Sequence, residues 1–255
     1  VLRWMWAVIE RPVGHFEKSA AFWAAVTGAS AEQGQEDAVL RPPEGDACMR
    51  IRPTDDDGGI RLEFEVEDVS EAVRRARELG AVPAGDGLRS PAGQPFSLRP
   101  WSGATVRPGP VIGPNGAVTL PDQVCIDIGP ADYDAEVAFW AALTGWELRD
   151  TDSAEFKRLW PPPEQPAQFL LQRLEEERPA SSHLDLAAGA DAETACAWHE
   201  RCGAEHVRTT AGWIVMRDPT GMVYCLTRRD PCTRLPYDVA AHEIPSRRST
   251  GYRNP

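Results

Sequence analysis

Apolar and polar positions along the chain follow two periods, and the points where the period changes mark out similar units. Arg61-Leu62-Glu63-Phe64-Glu65-Val66 alternates strictly, as a strand does when only one of its faces meets a core. Directly after it, Val69, Ala72, Val73, Ala76 and Leu79 recur at helical spacing, behind Asp68 and Glu71 in a capping-box pattern. His183-Leu184-Asp185-Leu186 alternates in the same way ahead of a second such helix, and Tyr133, Val137, Trp140 and Leu143 form a helical stripe behind Asp132. The predicted helices end at Gly28, Gly80, Gly145 and Gly203, where glycine accepts the left-handed conformation just past a helix.

After each helix comes room for about three short strands, broken by turn chemistry at PPEGD (42–46), SPAG (90–93), PPPEQ (161–165) and DPTG (218–221). The unit strand, helix, strands thus occurs four times. A repeat orders these units: FWAAVTGA at 22–29 returns as FWAALTGW at 139–146, which indicates duplication. The Pro/Gly-rich stretch SGATVRPGPVIGPNGAVTLPD lies between the halves. The expected division is a first domain over 1–101, a linker over 102–121, a second domain over 122–229 and a tail over 230–255. Trp23 and Trp140, inside the repeated helix, are expected in the core.

Composition narrows the partners. With 42% hydrophobic and 26% charged residues and no long apolar run, a globular chain without a membrane span is expected. A formal charge of −12 works against nucleic-acid binding and favours, if anything, a cationic ligand. The basic cluster Arg228, Arg229, Arg247 and Arg248 reads as a tail feature. Six cysteines without a CxxC pair are expected to be reduced, and Val1–Pro12 has no secretory pattern, so a cytoplasmic protein is expected.

These units resemble the vicinal-oxygen-chelate superfamily of glyoxalases, bleomycin-resistance proteins and extradiol dioxygenases. FWAALTGWE is similar to its first helix and GWIVMRDPTGMVYCLT to its final hairpin. The resemblance implies an α+β fold of two domains, each pairing two βαβββ units around a U-shaped mixed sheet, related by pseudo-twofold symmetry. It leaves open monomer or homodimer, and it implies a small-molecule ligand or substrate held in a cleft.

In such a sheet the polar face of each alternating strand meets the cleft. Parity then directs Trp4, Trp6, Val8 and Glu10 inward in domain 1, and Gln123, Cys125 and Asp127 inward in domain 2. Carrying the metal-ligand pattern of the family onto domain 2 gathers Cys125, Gln172, His183 and Cys225, a donor set for one divalent metal, although the glutamate usual on the last strand is missing. The plain alternative is that both cysteines are buried apolar groups and His183 is hydrogen-bonded in the cleft. His183, Asp185 and Asp127 are candidates for proton transfer, or else for ion pairs with Arg173 or other basic groups.

In domain 1 the matching positions are Val8, Arg52, Arg61 and Ser97, which cannot hold a cation. There Arg52 and Arg61 would meet an anionic or polar ligand beside Glu10 and Glu63, with Trp4 and Trp6 as walls, unless the charges simply face solvent. Trp160 and Trp213 are candidate cleft walls in domain 2. His199, His206, Cys196 and Cys202 read as structural. Two functions stay open: a lyase or isomerase acting on a small oxygenated organic molecule, or a protein that sequesters a drug or metabolite without chemistry.

Overall fold

The computed structural model describes residues 1–34 and 36–235; the Arg247 and Arg248 expectation and most of the 230–255 tail lie outside the described residues. Domain 1 opens with β1 (Leu2–Pro12) and α1 (Phe16–Thr27), followed by β2 (Ser30–Gln33), β3 (Ala38–Arg41) and β4 (Met49–Thr54). Its second unit is β5 (Gly59–Val66), α2 (Val69–Glu78), β6 (Val82–Ala84), β7 (Gly87–Arg89) and β8 (Pro95–Pro100). A short β9 (Val111–Ile112) precedes domain 2, whose first unit is β10 (Val118–Ile128), α3 (Tyr133–Thr144), β11 (Glu147–Asp150), β12 (Phe156–Trp160) and β13 (Gln168–Arg173). The last unit is β14 (Ser181–Ala187), α4 (Ala192–Arg201), β15 (Glu205–Thr209), β16 (Trp213–Arg217) and β17 (Val223–Thr227).

The four predicted helices are present. Asp68 caps α2 by accepting the Glu71 N–H at 3.0 Å, whereas Asp132 makes no side-chain cap. Gly28 and Gly145 close α1 and α3 at φ 63° and 69°, as the helix-end glycines require. The stretch expected to be linker is not featureless, because β9 and the start of β10 lie within it and pair with each other.

Each domain is one open mixed sheet with the same strand order, β2-β3-β4-β1-β5-β8-β7-β6 and β11-β12-β13-β10-β14-β17-β16-β15. The central strands are parallel to the last strand of their own unit, β1 to β4 and β10 to β13, and antiparallel to the first strand of the next unit, β1 to β5 and β10 to β14. Alternation decides which side faces which: Leu62, Phe64, Leu184 and Leu186 are buried against the core, while Glu63, His183 and Asp185 turn to the other face. In domain 2 that other face curls around a cavity. The rings of Phe156 on β12 and Trp213 on β16, five places apart in the sheet order, meet edge-on at 6.1 Å.

The two sheets share a core. Phe64 and Phe96 of domain 1 pack on Trp140 of α3, and Phe22 and Trp23 of α1 pack on Tyr224 of β17. The FWAA helix of each half therefore lies against the other half. Backbone and side-chain bonds join the halves further, Ala180 N to Ala92 O at 2.8 Å and Gln165 Nε2 to Arg3 O at 2.8 Å. No helix among the described residues is long and apolar enough to cross a membrane.

Candidate functional site in the second domain

The register places equivalent residues at equivalent points of the two sheets. On β10, Cys125 lies opposite His183 of β14, and Asp185 lies opposite Cys225 of β17. On β1, Val8 lies opposite Arg61 of β5, and Glu63 opposite Ser97 of β8. Side-chain chemistry then decides the fate of each cleft.

In domain 1 the cleft face is filled with ion pairs. Glu10 holds Arg61 at 2.8 Å and Arg52 at 3.8 Å. Glu63, fully buried, meets Arg50 at 3.4 Å, Arg52 at 3.5 Å and Arg99. Arg50 stacks over the Trp6 ring at 4.1 Å, and the Trp6 indole donates to Glu65. Trp4 is wholly buried and donates to the Ala47 carbonyl at 2.9 Å. Trp4 and Trp6 thus pack inside the protein rather than line an open cavity, and Arg52 and Arg61 already hold carboxylates. The reason is electrostatic: each inward arginine has an inward acid one or two strands away, and a buried charge is tolerated only when so paired.

In domain 2 the same face encloses a cavity of about 580 Å³, within the size range of small-molecule sites. Cys125, Asp127, Gln172, His183, Asp185 and Cys225 all line it. At its floor the His183 ring lies between two carboxylates, Nδ1 at 3.4 Å from Asp127 and Nε2 at 3.4 Å from Asp185. Burial works against a charge on this ring, but the Cys125 sulfur and the hydrogen bond to Asp127 outweigh it and hold the imidazole pKa well above its ordinary value. Burial raises Asp185, and the neighbouring His183 and Arg229 oppose that rise. The Cys125 thiol is pushed up to about 12 by burial and sits 3.8 Å from Asp127 and from Gln172, while burial also raises Cys225. Of the expected walls, Trp213 lines the cavity, whereas Trp160 is occupied by Arg149 stacked 4.7 Å from its ring.

Sequence reasoning missed Phe156, Arg158 and Arg229. Phe156 and Arg158 share a parity in β12, so alternation could have found them. Arg229 is no tail feature: it is buried and clamps Asp122 through two hydrogen bonds of 2.6 and 2.7 Å. The net acidity of the chain does not extend into the cleft, where four arginines, Arg158, Arg178, Arg208 and Arg229, face two carboxylates. Arg173 is not the partner of Asp127, which instead accepts from Arg178 at 3.1 Å.

Among the described residues two sets of side chains could hold a metal ion, Cys125 with Asp127 and His183, and His183 with Asp185 and Cys225, the donor atoms of each set lying within 4.8 Å of one another. The second set fits a divalent cation better. Asp185 Oδ1 is buried without a hydrogen-bond partner, and a carboxylate, an imidazole and a sulfur form a donor set that suits a borderline-soft ion.

Comparison with known proteins agrees with this architecture. Among solved structures, a Mn(II)-bound glyoxalase from Novosphingobium aromaticivorans superimposes with a TM-score of 0.60 at 16% identity, over 91% of this chain and 83% of that one. The 2,2',3-trihydroxybiphenyl 1,2-dioxygenase of Sphingomonas wittichii gives a TM-score of 0.60 at 15% identity, over 89% and 90% of the two chains. Homoprotocatechuate 2,3-dioxygenase from Arthrobacter globiformis gives 0.59 at 14% identity, over 87% and 78%. At such identities the likeness is one of fold. A search of the curated proteins found no match. The model of the glyoxalase-like domain matches twice, over residues 6–99 and 123–227, and the chain is accordingly a tandem member of the glyoxalase-like family within the vicinal-oxygen-chelate superfamily.

Proposed function

We propose that this chain acts on a small oxygenated organic molecule in the domain 2 cleft, as a lyase or isomerase that moves protons through His183 and Asp185. One observation carries the reading: His183 lies between Asp127 and Asp185 on the floor of a cavity, whereas the equivalent face of domain 1 is filled. An acid and a base side by side in a cleft are what proton abstraction next to a carbonyl needs.

Asp127 holds the His183 ring through Nδ1. Asp185 Oδ1, which lacks a hydrogen-bond partner, takes the proton from the carbon next to the substrate carbonyl. The protonated His183 Nε2 gives its proton to the carbonyl oxygen on which negative charge develops, leaving an enol. Where the deprotonated carbon carries a hydroxyl the enol is an enediol, and that hydroxyl returns its proton to His183 as Asp185 delivers its own to the former carbonyl carbon, which yields the isomer. Where the carbon beyond carries a leaving group, that group departs as the enol returns its proton to His183, which yields the elimination product. Each such proton transfer contributes about 10²–10⁴ in rate. A divalent ion, when bound, would be held by His183, Asp185 and Cys225 and, as a Lewis acid on a substrate oxygen, would take the place of the proton that His183 otherwise supplies.

Proton exchange tests the reading directly. A panel of 2-oxo and 2-hydroxy carbonyl compounds incubated in D₂O should show exchange at the carbon next to the carbonyl for the compounds that bind, with a loss of at least about a hundredfold in His183→Ala. A bound compound recovered unaltered and unexchanged would instead support the second reading, sequestration without chemistry. The aromatic closure of Phe156 on Trp213 favours that alternative, because it forms a ligand wall that requires no reacting group.

A further inference from the structure

We infer that the ligand of the domain 2 cleft carries a carboxylate, and that Arg158 is the residue that holds it. The inference rests on the reading of this cleft as the ligand site and adds the chemical class of what enters.

Arg158 projects from β12 into the cavity, with the same parity as Phe156. Among the described residues it makes no hydrogen bond and no ion pair, and its Nε is buried without a partner. The other buried arginine of the cavity, Arg229, has an unpartnered Nε as well, but both of its terminal nitrogens are clamped on Asp122, whereas those of Arg158 hold no acid; Arg208, also in the lining, is exposed to solvent. Arg178, at the exposed margin, is bound to Asp127. Burial lowers the pKa of Arg158, and the nearby Arg229 and Arg149 push in the same direction against the pull of Asp122 and Asp152, neither of which bonds to it. A half-buried guanidinium held beside like charge is unfavourable in the free protein, and a planar anion that meets its fork removes that cost.

Domain 1 provides the internal comparison. Arg50, Arg52, Arg61 and Arg99 there each meet a carboxylate of the protein, Glu10 or Glu63. The point equivalent to Arg158 is Val39, which lies opposite Arg50 as Arg158 lies opposite Leu170. The filled cleft contains its own anions; the open one has a cation waiting for one.

The sheet register also locates this anchor relative to the floor. Arg158, Leu170, Cys125 and His183 form one lateral row over β12, β13, β10 and β14. Three strand spacings of about 4.8 Å separate the ends of the row. A ligand whose carboxylate lies on Arg158 therefore extends its other end toward His183, with its apolar body against Phe156 and Trp213.

Paired ligands and one substitution test this. Benzoate, phenylacetate and 3-phenyllactate, each beside its neutral amide, are titrated into the full chain and read by quenching of tryptophan fluorescence and by calorimetry. At least one acid should bind about ten- to a hundredfold more tightly than its amide, a preference that Arg158→Met abolishes and Arg158→Lys restores in part. Arg158→Met should also raise the thermal midpoint by about 2–4 °C, since it removes an unpaired charge; a guanidinium with only a structural role would shift the midpoint downward. Equal binding of acids and amides, or an acid preference unchanged in Arg158→Met, would overturn the carboxylate assignment and leave the small-molecule cleft standing. Failure of every compound in both series to bind would overturn both.

Discussion

The indole nitrogen of Trp23 donates to Asp218 Oδ2 at 3.1 Å, joining the repeated helix of the first half to the DPTG turn of the second. The pseudo-equivalent indole, Trp140, donates to Glu136 at 2.6 Å, and Glu136 in turn accepts from Ser90 Oγ at 2.5 Å and Ala92 N at 2.9 Å in the SPAG turn of the first half. At one junction the acid belongs to the turn and a serine, Ser19, to the helix; at the other the serine belongs to the turn and the acid to the helix. Each junction thus retains one buried carboxylate to receive its indole, supplied from opposite sides.

This exchange predicts unequal substitutions. Glu136→Ala leaves three buried donors without an acceptor and should cost about 3–5 kcal/mol. Ser19 is buried and its hydroxyl has no partner, so Ser19→Ala should be neutral or slightly stabilising. Urea unfolding of the two variants checks both; a destabilisation of similar size in the two would contradict the exchange.

Glu63 should be a determinant of stability and not of binding. It is the shared partner of Arg50, Arg52 and Arg99, so Glu63→Ala removes the acid that gathers them and leaves Arg50 with Asp37 alone, Arg52 with Glu10 alone and Arg99 without a carboxylate. A loss of about 3–5 kcal/mol is expected from breaking such a buried cluster on one side. Ligand affinity of the domain 2 cleft, measured at a temperature where the variant is folded, should be unchanged.

Much of this organisation was written in local sequence. Strict alternation in Arg61–Val66 and His183–Leu186 assigned each residue to a face, because a two-residue period leaves no other choice for a strand buried on one side. The four helix-ending glycines and the FWAA repeat then ordered the units. What local pattern could not convey was partnership. That the FWAA helix packs on the opposite half follows from the joined core, and that Arg52 and Arg61 are neutralised follows from Glu10 and Glu63 on neighbouring strands; both are contacts between residues far apart in the chain. Arg158 was legible by the parity of Phe156–Trp160, yet a long cationic side chain near a sheet margin reads as solvated until its burial is known.

Acid sensitivity should trace in part to His199. Buried between Phe22 and Tyr224, with Nδ1 2.8 Å from the Tyr224 hydroxyl, its pKa is pushed down by burial from 6.5 to about 4. Above about pH 6.5 both folded and unfolded chains keep this ring neutral, and its environment is fully compatible with folding. As the pH falls from 6.5 toward 4 only the unfolded chain takes up the proton, so stability declines through that window, by about 3 kcal/mol once the pH is below 4. Unfolding midpoints measured from pH 7.5 to 4 should fall more steeply for the wild type than for His199→Gln; parallel curves would assign the acid sensitivity elsewhere.

Cobalt(II) offers a probe of the candidate metal ligands that does not depend on turnover. If His183, Asp185 and Cys225 hold a divalent ion, its arrival must displace protons from the His183 imidazole and the Cys225 thiol, both of which their surroundings bind more firmly than in the free side chains. Binding should therefore release protons and tighten by about tenfold per pH unit for each proton released. A sulfur-to-cobalt charge-transfer absorption should appear with the metal and disappear in Cys225→Ser, while Cys125→Ser, whose sulfur belongs to the other donor set, should retain it. The reverse result would assign the ion to Cys125, Asp127 and His183; no cobalt binding to the wild type would leave His183 and Asp185 as an acid–base pair working without metal.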